Sequence, residues 1–222
     1  MDVEQIKRKY RRNARFYDPL LERPMRRTRE RAIAALALRP GETVLDFGCG
    51  TGLSFPLLQE AVGLQGHIIG VELSPDMLAR AREKVKRHSW TNLTLIEANA
   101  EEVNVPPGSV DAVLCFYTHD IMNSRPALER AAGALRPGGR IVAAGGKRAR
   151  GVRGVLLNAV TFAYSLPFVT NTSGTARPWA HLEELLGPLS VEERLLGTAY
   201  IACGVKPDGT KPTEHAQTQI AR

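Results

Sequence analysis

The stretch Val44–Gly52, with the sequence VLDFGCGTG, decides how this 222-residue chain is expected to fold. Thr43–Phe47 is a short β-branched and apolar run that passes directly into a loop containing three glycines. Glycine lacks a Cβ and adopts positive φ readily, so such a loop lets a ligand approach the backbone N–H groups closely. A strand that ends in a glycine loop before a helix therefore predicts a binding crevice at the carboxyl edge of a parallel sheet.

Strand-like and helix-like segments alternate after this loop, which favours a mainly parallel sheet because parallel strands need helical crossovers. Further strands are predicted at His67–Leu73, Leu93–Ala98, Val110–Tyr117 and Arg140–Ala144, and helices at Leu53–Val62, Asp76–His88, Arg125–Leu135 and Trp179–Leu186. Val191–Leu196 and Thr198–Val205 are separated only by Gly197 and predict a hairpin or a bend. The predicted fold class is α/β: a Rossmann-like, doubly wound, mainly parallel sheet with a C-terminal antiparallel strand and helices on both faces.

Two acidic residues indicate what the crevice binds. Glu72 lies twenty residues after Gly52, at the end of the second strand, where a carboxylate accepts hydrogen bonds from both hydroxyls of a ribose. Asp46 directly precedes the loop, where an anion repels a pyrophosphate but suits a cationic ligand. The loop also reads G-x-G-x-G instead of the G-x-G-x-x-G of dinucleotide-binding folds. These features favour S-adenosylmethionine (SAM), which carries a sulfonium, an ammonium and no phosphate, over NAD.

The motifs of this chain resemble those of class I SAM-dependent methyltransferases. VLDFGCGTG resembles their motif I, Glu72 in GVELSPDML matches their ribose-binding acid, and LRPGGRIV resembles the turn before their fifth strand. Asn99 and Ala100 in EANAEEVNVP resemble the adenine-contact position. The family usually carries Asp where this chain has Asn99, whose amide oxygen also accepts a hydrogen bond.

The resemblance extends over most of the chain and suggests how it is divided. The opening with Tyr10 and Tyr17-Asp18 is similar to that of the ubiquinone/menaquinone-biosynthesis and the small bacterial phosphatidylethanolamine N-methyltransferases. The expected units are a basic helical N-terminal lid (1–38), a SAM-binding methyltransferase domain (39–207) with an acceptor-pocket insertion (147–178), and a flexible tail (208–222).

The motifs and the resemblance together imply SAM as the cofactor and a set of site residues. The expected cofactor-binding residues are Tyr17, Asp46, Gly48, Cys49, Gly50, Thr51, Gly52, Glu72, Leu73, Met77, Asn99, Ala100, Cys115 and Phe116. The expected substrate contacts are Tyr10, Tyr17, His119, Asp120, Phe162, Tyr164 and Trp179. No metal site is predicted, because the cysteines and histidines are scattered along the chain.

His119, next to Asp120 after the fourth strand, is the candidate catalytic residue. It could deprotonate a phenol or an ammonium, although methyl transfer needs a base only when the acceptor must lose a proton. A histidine at a strand exit is also often a structural hydrogen-bonder, so both roles stay open. Cys49 and Cys115 are expected to be packing residues rather than nucleophiles, because a nucleophilic thiol needs a lowered pKa.

Gly154–Ala176 carries no Lys, Arg, Asp or Glu and contains aromatic residues, which suggests the chemistry of the acceptor. An apolar and aromatic lining implies a small lipophilic or aromatic acceptor, such as a phenol or quinone precursor, or an amine or lipid headgroup held by cation–π contact. The alternative is an arm packed on the sheet or on a second subunit. The Pro-Pro-aromatic and Pro-Cys motifs of DNA methyltransferases do not follow the fourth strand, which disfavours nucleic acid as the acceptor.

Six of the seven net positive charges lie in residues 1–31, where apolar residues from Val3 to Tyr17 recur at helical spacing. Such a segment contacts an anionic membrane, binds nucleic acid, or packs on the domain with its arginines solvated, and these interpretations stay open. Three cysteines without a C-x-x-C pair suit a reducing cytosol. We expect a cytoplasmic enzyme that is a monomer or a homodimer. If the basic segment contacts an anionic membrane, the enzyme is peripheral to that membrane. The alternatives are an RNA methyltransferase and a non-catalytic SAM-binding protein.

Overall fold

Seven strands form one sheet within the part of the chain that the computed structural model describes, namely residues 25–149, 151, 154, 158 and 174–208. The strands are β1 (Thr43–Phe47), β2 (His67–Glu72), β3 (Leu93–Glu97), β4 (Val110–Phe116), β5 (Leu135–Gly146), β6 (Ser190–Arg194) and β7 (Ala199–Val205). Their order is β3-β2-β1-β4-β5-β7-β6. Strands β1 to β5 pair in parallel, and β7 pairs antiparallel with both β5 and β6. This arrangement confirms the predicted α/β fold.

Helices cover both faces of the sheet. They are α1 (residues 25–35), α2 (Phe55–Val62), α3 (Pro75–His88), α4 (His119–Met122), α5 (Arg125–Ala134) and α6 (Ala180–Leu186). Serine N-caps followed by proline start two of them: Ser74 Oγ accepts from the N–H of Met77 (3.4 Å), and Ser124 Oγ accepts from the N–H of Ala127 (3.3 Å). Among the described helices, none is long and apolar enough to cross a membrane.

The core has two layers, one on each face of the sheet, because successive strand residues point to opposite faces. In β1, Val44 belongs to the layer that contains residues of α1, α2 and α3, whereas Leu45 belongs to the layer that contains residues of α4, α5 and α6. The alternation places Asp46 on the same face as α1. Ala32 of α1 and Leu36, just after α1, are fully buried in that layer, so α1 is part of the core.

Two elements differ from the sequence prediction. The short helix α4 follows β4 in a segment for which no element was predicted. Strand β5 begins at Leu135 instead of Arg140, because Leu135 already pairs with Val110 before the chain bulges through Pro-Gly-Gly. Pairing then resumes between Ala112 and Arg140, so the predicted turn is a bulge inside the strand. The predicted hairpin is confirmed, since β6 and β7 pair antiparallel across residues 195–197.

Glu42 and Arg140 form a charged contact at the amino edge of the sheet that fastens α1. Arg140 Nε donates to the carbonyl of Leu36, just after α1 (2.7 Å), and Arg140 Nη1 donates to Glu42 Oε1 (3.1 Å). Burial alone would raise the pKa of Glu42. Hydrogen bonds from Arg140 and the N–H of Arg39, with the charges of Arg140 and Arg136, outweigh burial, so the pKa of Glu42 lies below its usual 4.5. The ionised carboxylate therefore stabilises the fold.

We expect Glu42→Gln to lower the free energy of unfolding by about 1–3 kcal/mol, because it leaves buried hydrogen-bonding groups of Arg140 without a charged partner. The lowered pKa makes this contribution complete above pH 4.5, and it is lost as the pH falls through the folded-state pKa. Thermal unfolding at neutral and acidic pH measures both effects. The control is Glu192→Gln, which removes an exposed pair with Arg31 (3.0 Å) and is expected to change the melting temperature far less. Equal effects of the two variants would contradict the assignment.

Candidate active site

A crevice opens at the carboxyl edge of the sheet, where the strand order reverses. The chain passes from β1 outward through β2 to β3 and then returns to β4 on the other side of β1. Ligands of open α/β sheets bind at such a reversal. The crevice has two adjoining compartments of about 710 Å³ and 460 Å³, measured out to their open mouths. Gly48, Gly50, Phe116 and Tyr117 line both of them.

The glycine loop forms the floor of the crevice. The N–H groups of Gly48 and Cys49 both donate to the carbonyl of Val71 at 2.9 Å, which ties the loop to the end of β2. Gly48 has φ +87°, and a Cβ there would lie 2.5 Å from Thr118 Cγ2. Gly50 has φ +56°, and nothing lies within 4 Å of the place that a Cβ would take. Close packing therefore requires glycine at position 48, and the backbone conformation favours glycine at position 50.

Glu72 joins β2 to the glycine loop through its side chain. Its Oε2 accepts from the N–H of Gly50 (2.9 Å) and its Oε1 from the N–H of Ser74 (2.8 Å). Burial raises the pKa of Glu72 above 4.5, although backbone hydrogen bonds from Ser74, Gly50 and Leu73 oppose the rise. Each carboxylate oxygen keeps a second lone pair, so both oxygens can accept a hydrogen bond from a bound ligand.

Asp46 is a buried carboxylate at the smaller compartment. The side chain is 1% exposed, and its Oδ2 has no hydrogen-bond partner among the described residues. Burial raises the pKa of Asp46 to about 7, against the positive charge of Arg29 and together with the negative charge of Glu72. A buried carboxylate oxygen without a donor is costly. The compartment therefore favours a ligand that brings a positive charge or a hydrogen-bond donor to Asp46.

Arg29 is a site residue that the sequence reasoning missed. It is 5% exposed, lines the smaller compartment, and places its guanidinium carbon 4.9 Å from the centre of the Phe116 ring. In the sequence, Arg29 is one of the many basic residues in the segment 1–31. Helical spacing gives the missing signal, because Arg29 lies three residues before the buried Ala32 of α1 and seven before the buried Leu36 that follows the helix. An arginine on an apolar helical stripe indicates a charge directed into the protein.

The larger compartment contains Glu72 and the residues predicted to contact adenine. Leu73, Met77, Asn99 and Ala100 all line it, at the ends of β2 and β3 and at the start of α3. The Oδ1 of Asn99 accepts from the N–H of Glu101 (3.1 Å), which shapes the turn that carries Asn99 and Ala100. Cys49 and Thr51, also predicted, line the smaller compartment instead, beside Asp46. The structure thus brings most of the predicted cofactor set to one crevice.

Three predicted site residues lie outside the lining of these two compartments. Gly52 has φ +75° and packs against the ring of Phe55. Cys115 is fully buried in the core, where burial raises the pKa of its thiol to about 12, so it packs as a protonated residue. Trp179 is also buried in that core, with its ring centre 5.1 Å from that of Tyr200, because a large apolar ring is stabilised by burial. Four further predicted residues lie outside the described part of the chain: Tyr10, Tyr17, Phe162 and Tyr164.

His119 and Asp120 line the larger compartment on the side of β4. The Nδ2 of Asn123 lies 2.9 Å from His119 Nε2 and 3.0 Å from the His119 carbonyl. An amide nitrogen only donates, so His119 Nε2 is the acceptor and its lone pair is engaged. This geometry gives His119 a structural hydrogen bond at Nε2. Among the described residues, no group of three or more His, Cys, Asp or Glu is placed to hold a metal ion.

The crevice lies where open α/β sheets bind their ligands, and comparisons with known proteins show what the chain resembles. Residues 44–139 match the family model described as Methyltransferase domain. Over 115 residues the chain is 36% identical to an arsenite methyltransferase of Halobacterium salinarum, which covers 50% of this chain and 28% of that protein. It is 34% identical over 115 residues to a demethylmenaquinone methyltransferase of Shouchella clausii, which covers 51% of this chain and 49% of that protein. The match thus spans about half or less of these curated relatives.

A solved structure shares the fold. A SAM-dependent methyltransferase from Aquifex aeolicus superposes with a TM-score of 0.61 at 18% identity, which covers 80% of this chain and 88% of that one. This likeness shows a shared fold, and the family match covers residues 44–139 of the 222-residue chain. By its name, the Aquifex protein depends on SAM.

We expect Glu72→Ala to weaken binding of S-adenosylhomocysteine about 10- to 150-fold, because hydrogen bonds to a charged group contribute about 1.5–3 kcal/mol. Isothermal titration calorimetry measures this loss directly. The matched control is Glu97→Ala, since Glu97 pairs with Glu72 across β2 and β3 but is exposed and does not line the crevice. Unchanged affinity in Glu72→Ala, or an equal loss in Glu97→Ala, would remove Glu72 from the binding site.

Proposed function

We propose that this protein transfers the methyl group of SAM by in-line displacement to a small acceptor that is lipophilic or aromatic: an amine, a phenol, a quinone precursor or a lipid headgroup. The observation that carries the proposal is the charge arrangement along the crevice. Asp46 and Arg29 supply one negative and one positive group in the smaller compartment, and Glu72 supplies a second carboxylate in the larger one. The order of these charges along the crevice matches SAM, in which the amino-acid end is followed by the ribose.

The residues of the two compartments fit the chemical groups of SAM. Asp46 accepts from the ammonium and Arg29 faces the carboxylate of the amino-acid end, which satisfies the buried Oδ2 that otherwise has no partner among the described residues. Glu72 holds the ribose hydroxyls through its remaining lone pairs. Asn99 and Met77 lie where the adenine ring belongs. When bound, SAM supplies a methyl group already activated by a sulfonium.

The task left to the protein is alignment and exclusion of water. The glycine loop allows close approach at the floor, while Phe116 and Arg29 close the side that faces α1. A general base is required only for an acceptor that must lose a proton. His119 Nε2 already accepts a hydrogen bond from Asn123. For an acceptor that needs a base, Asp120 is the other predicted residue on that wall of the crevice.

Contacts of Gly174 and Thr175, at the end of the uncharged segment Gly154–Ala176, support a role for this segment in the acceptor pocket. A Cβ at Gly174 would overlap Asn123, whose amide bonds His119 at the crevice wall. The carbonyl of Thr175 accepts from the N–H of Arg148 at 2.9 Å, which joins the returning chain to the segment after β5. Both contacts bring the end of the insertion beside β4 and β5. Two of the curated relatives act, by their names, on arsenite and demethylmenaquinone, which are small molecules.

The test is a transfer assay with SAM labelled at its methyl group. The panel contains amines, phenols, quinone precursors and phospholipids, each with and without anionic liposomes, and RNA as a further arm. Label in a small acceptor or lipid supports the proposal, and Glu72→Ala serves as the blank for contaminating activity. Label in RNA alone identifies the protein as an RNA methyltransferase. Tight SAM binding without transfer to any acceptor in the panel identifies a non-catalytic SAM-binding protein, and either result overturns the proposal.

We expect Asp46→Asn to stabilise the unliganded protein at alkaline pH while it weakens SAM binding. The pKa of Asp46 is raised from 3.8 to about 7 in the fold. A raised carboxyl pKa means that wild-type stability is lost as the pH rises from about 4 to about 7, and the asparagine variant lacks this loss. Thermal unfolding without ligand at about pH 5 and about pH 8 measures the difference. A variant that melts below wild type at both pH values would contradict this expectation.

The same carboxylate makes ligand affinity depend on pH. Below about pH 7, Asp46 is increasingly protonated and cannot balance the ammonium of the ligand. We expect the affinity of the wild type for S-adenosylhomocysteine to fall as the pH is lowered through this range. Asp46→Asn should bind weakly and with little pH dependence, which calorimetry at each pH measures. Equal pH dependence in both proteins would assign the titration to another group.

A further inference from the structure

The boundary between the two compartments is where the reacting methyl group must lie. Under the proposed function, the nucleoside of SAM occupies the larger compartment and its amino-acid end occupies the smaller one. The sulfonium joins these two halves, so it lies where both compartments meet. Four residues line both, and two of these, Gly48 and Gly50, offer only backbone. Phe116 and Tyr117 are therefore the side chains at the sulfonium.

Phe116 and Tyr117 follow one another at the carboxyl end of β4 and make different contacts. Phe116 packs with the core layer of α1, α2 and α3, and the Arg29 guanidinium lies over its ring at 4.9 Å. Tyr117 lines the larger compartment together with Thr118, His119 and Ile121, at the start of and within α4. Asn123 follows α4, and the end of the insertion packs against it at Gly174.

The backbone of Tyr117 is strained. Its φ is +57°, a left-handed conformation that a bulky residue rarely adopts. The N–H of Tyr117 nevertheless donates to the carbonyl of Ala144 at 2.7 Å, which holds it at the end of β4 beside β5. Its ring centre lies 5.0 Å from that of Phe116, with the planes tilted by 55°. Strain retained at a binding crevice indicates that the side-chain position matters for function.

We propose that Tyr117 is the residue that positions the acceptor against the methyl group of SAM. Its ring forms the wall of the crevice on the side of α4, next to the sulfonium, where an aromatic face stabilises a cation and excludes water. This inference rests on the proposed function and adds to it the side chain that selects the acceptor.

The test is an NMR measurement that needs no knowledge of the acceptor. SAM labelled with ¹³C at its S-methyl group is bound to the protein at saturating concentration, and the methyl resonance is compared with that of unbound SAM. An aromatic ring beside the methyl group displaces this resonance through its ring current. We expect a displaced resonance in the wild type and loss of at least half of the displacement in Tyr117→Ala and Tyr117→Gly. Tyr117→Phe, which keeps a ring, should retain it.

The strain gives a second, independent readout. Tyr117→Gly removes both the ring and the strain, whereas Tyr117→Ala removes the ring and keeps a Cβ in the left-handed conformation. We expect the glycine variant to melt about 2–4 °C above the alanine variant. Ser89→Gly is the matched control, because Ser89 has φ +55° at the end of α3 and does not line either compartment. It should raise the melting temperature and leave the methyl resonance unchanged.

The outcomes separate this inference from the proposed function. Failure of wild type to bind SAM in calorimetry removes the proposed function itself. Normal SAM binding with a methyl resonance that is the same in wild type and Tyr117→Ala overturns the role of Tyr117 alone. Once the panel assay identifies an acceptor, Tyr117→Ala should lower kcat/KM for it more than tenfold while S-adenosylhomocysteine affinity changes less than threefold. An equal loss of both would make Tyr117 a cofactor contact instead of an acceptor-positioning residue.

Discussion

The crevice depends on the two hydrogen bonds that the Glu72 carboxylate accepts from the N–H groups of Gly50 and Ser74. They hold the glycine loop after β1 and the turn after β2 at a fixed separation, and the loop is further tied to the Val71 carbonyl. A flexible loop would have to be ordered whenever a ligand binds, at a cost in conformational entropy. Glu72 therefore prepares the floor of the crevice before it contacts any ligand, and its remaining lone pairs stay directed at the ligand.

A second constraint comes from burying unlike charges around a ligand-sized space. Asp46 and Glu72 are carboxylates with raised pKa values, and Arg29 is the cation between α1 and the Phe116 ring. In an unliganded protein this arrangement costs stability, because burial disfavours the charged form of each acid. A zwitterionic ligand compensates both charges at once. Under the proposed function, the same groups that weaken the unliganded fold select a ligand with a positive centre.

The sequence predicted the fold and several residues that line the larger compartment, because both depend on local patterns. The glycine loop, Glu72, Met77 and Asn99 lie at strand ends whose periodicity is visible in the chain, and Ser74 starts α3 as predicted. The residues on the acceptor side depend on packing between distant segments. Trp179 was predicted to contact the substrate because it is aromatic and lies near the uncharged segment. Pairing of β5 with β7 instead brings Tyr200 next to it, and both rings are buried. Tyr117 was part of a predicted strand, and its left-handed φ is set by tertiary contacts that a strand pattern does not encode.

Helix α1 belongs to the core and to the crevice at the same time. Its carboxyl end is fastened by Arg140 at the amino edge of the sheet, and Arg29 near its start reaches the opposite edge, a span of about two turns. A deletion made at residue 38 would strip a buried stripe from the domain together with the guanidinium. Deletion mutants that dissect the basic arm from the domain should therefore be cut before residue 25, so that any change in membrane or ligand affinity reports the arm and not a collapsed scaffold.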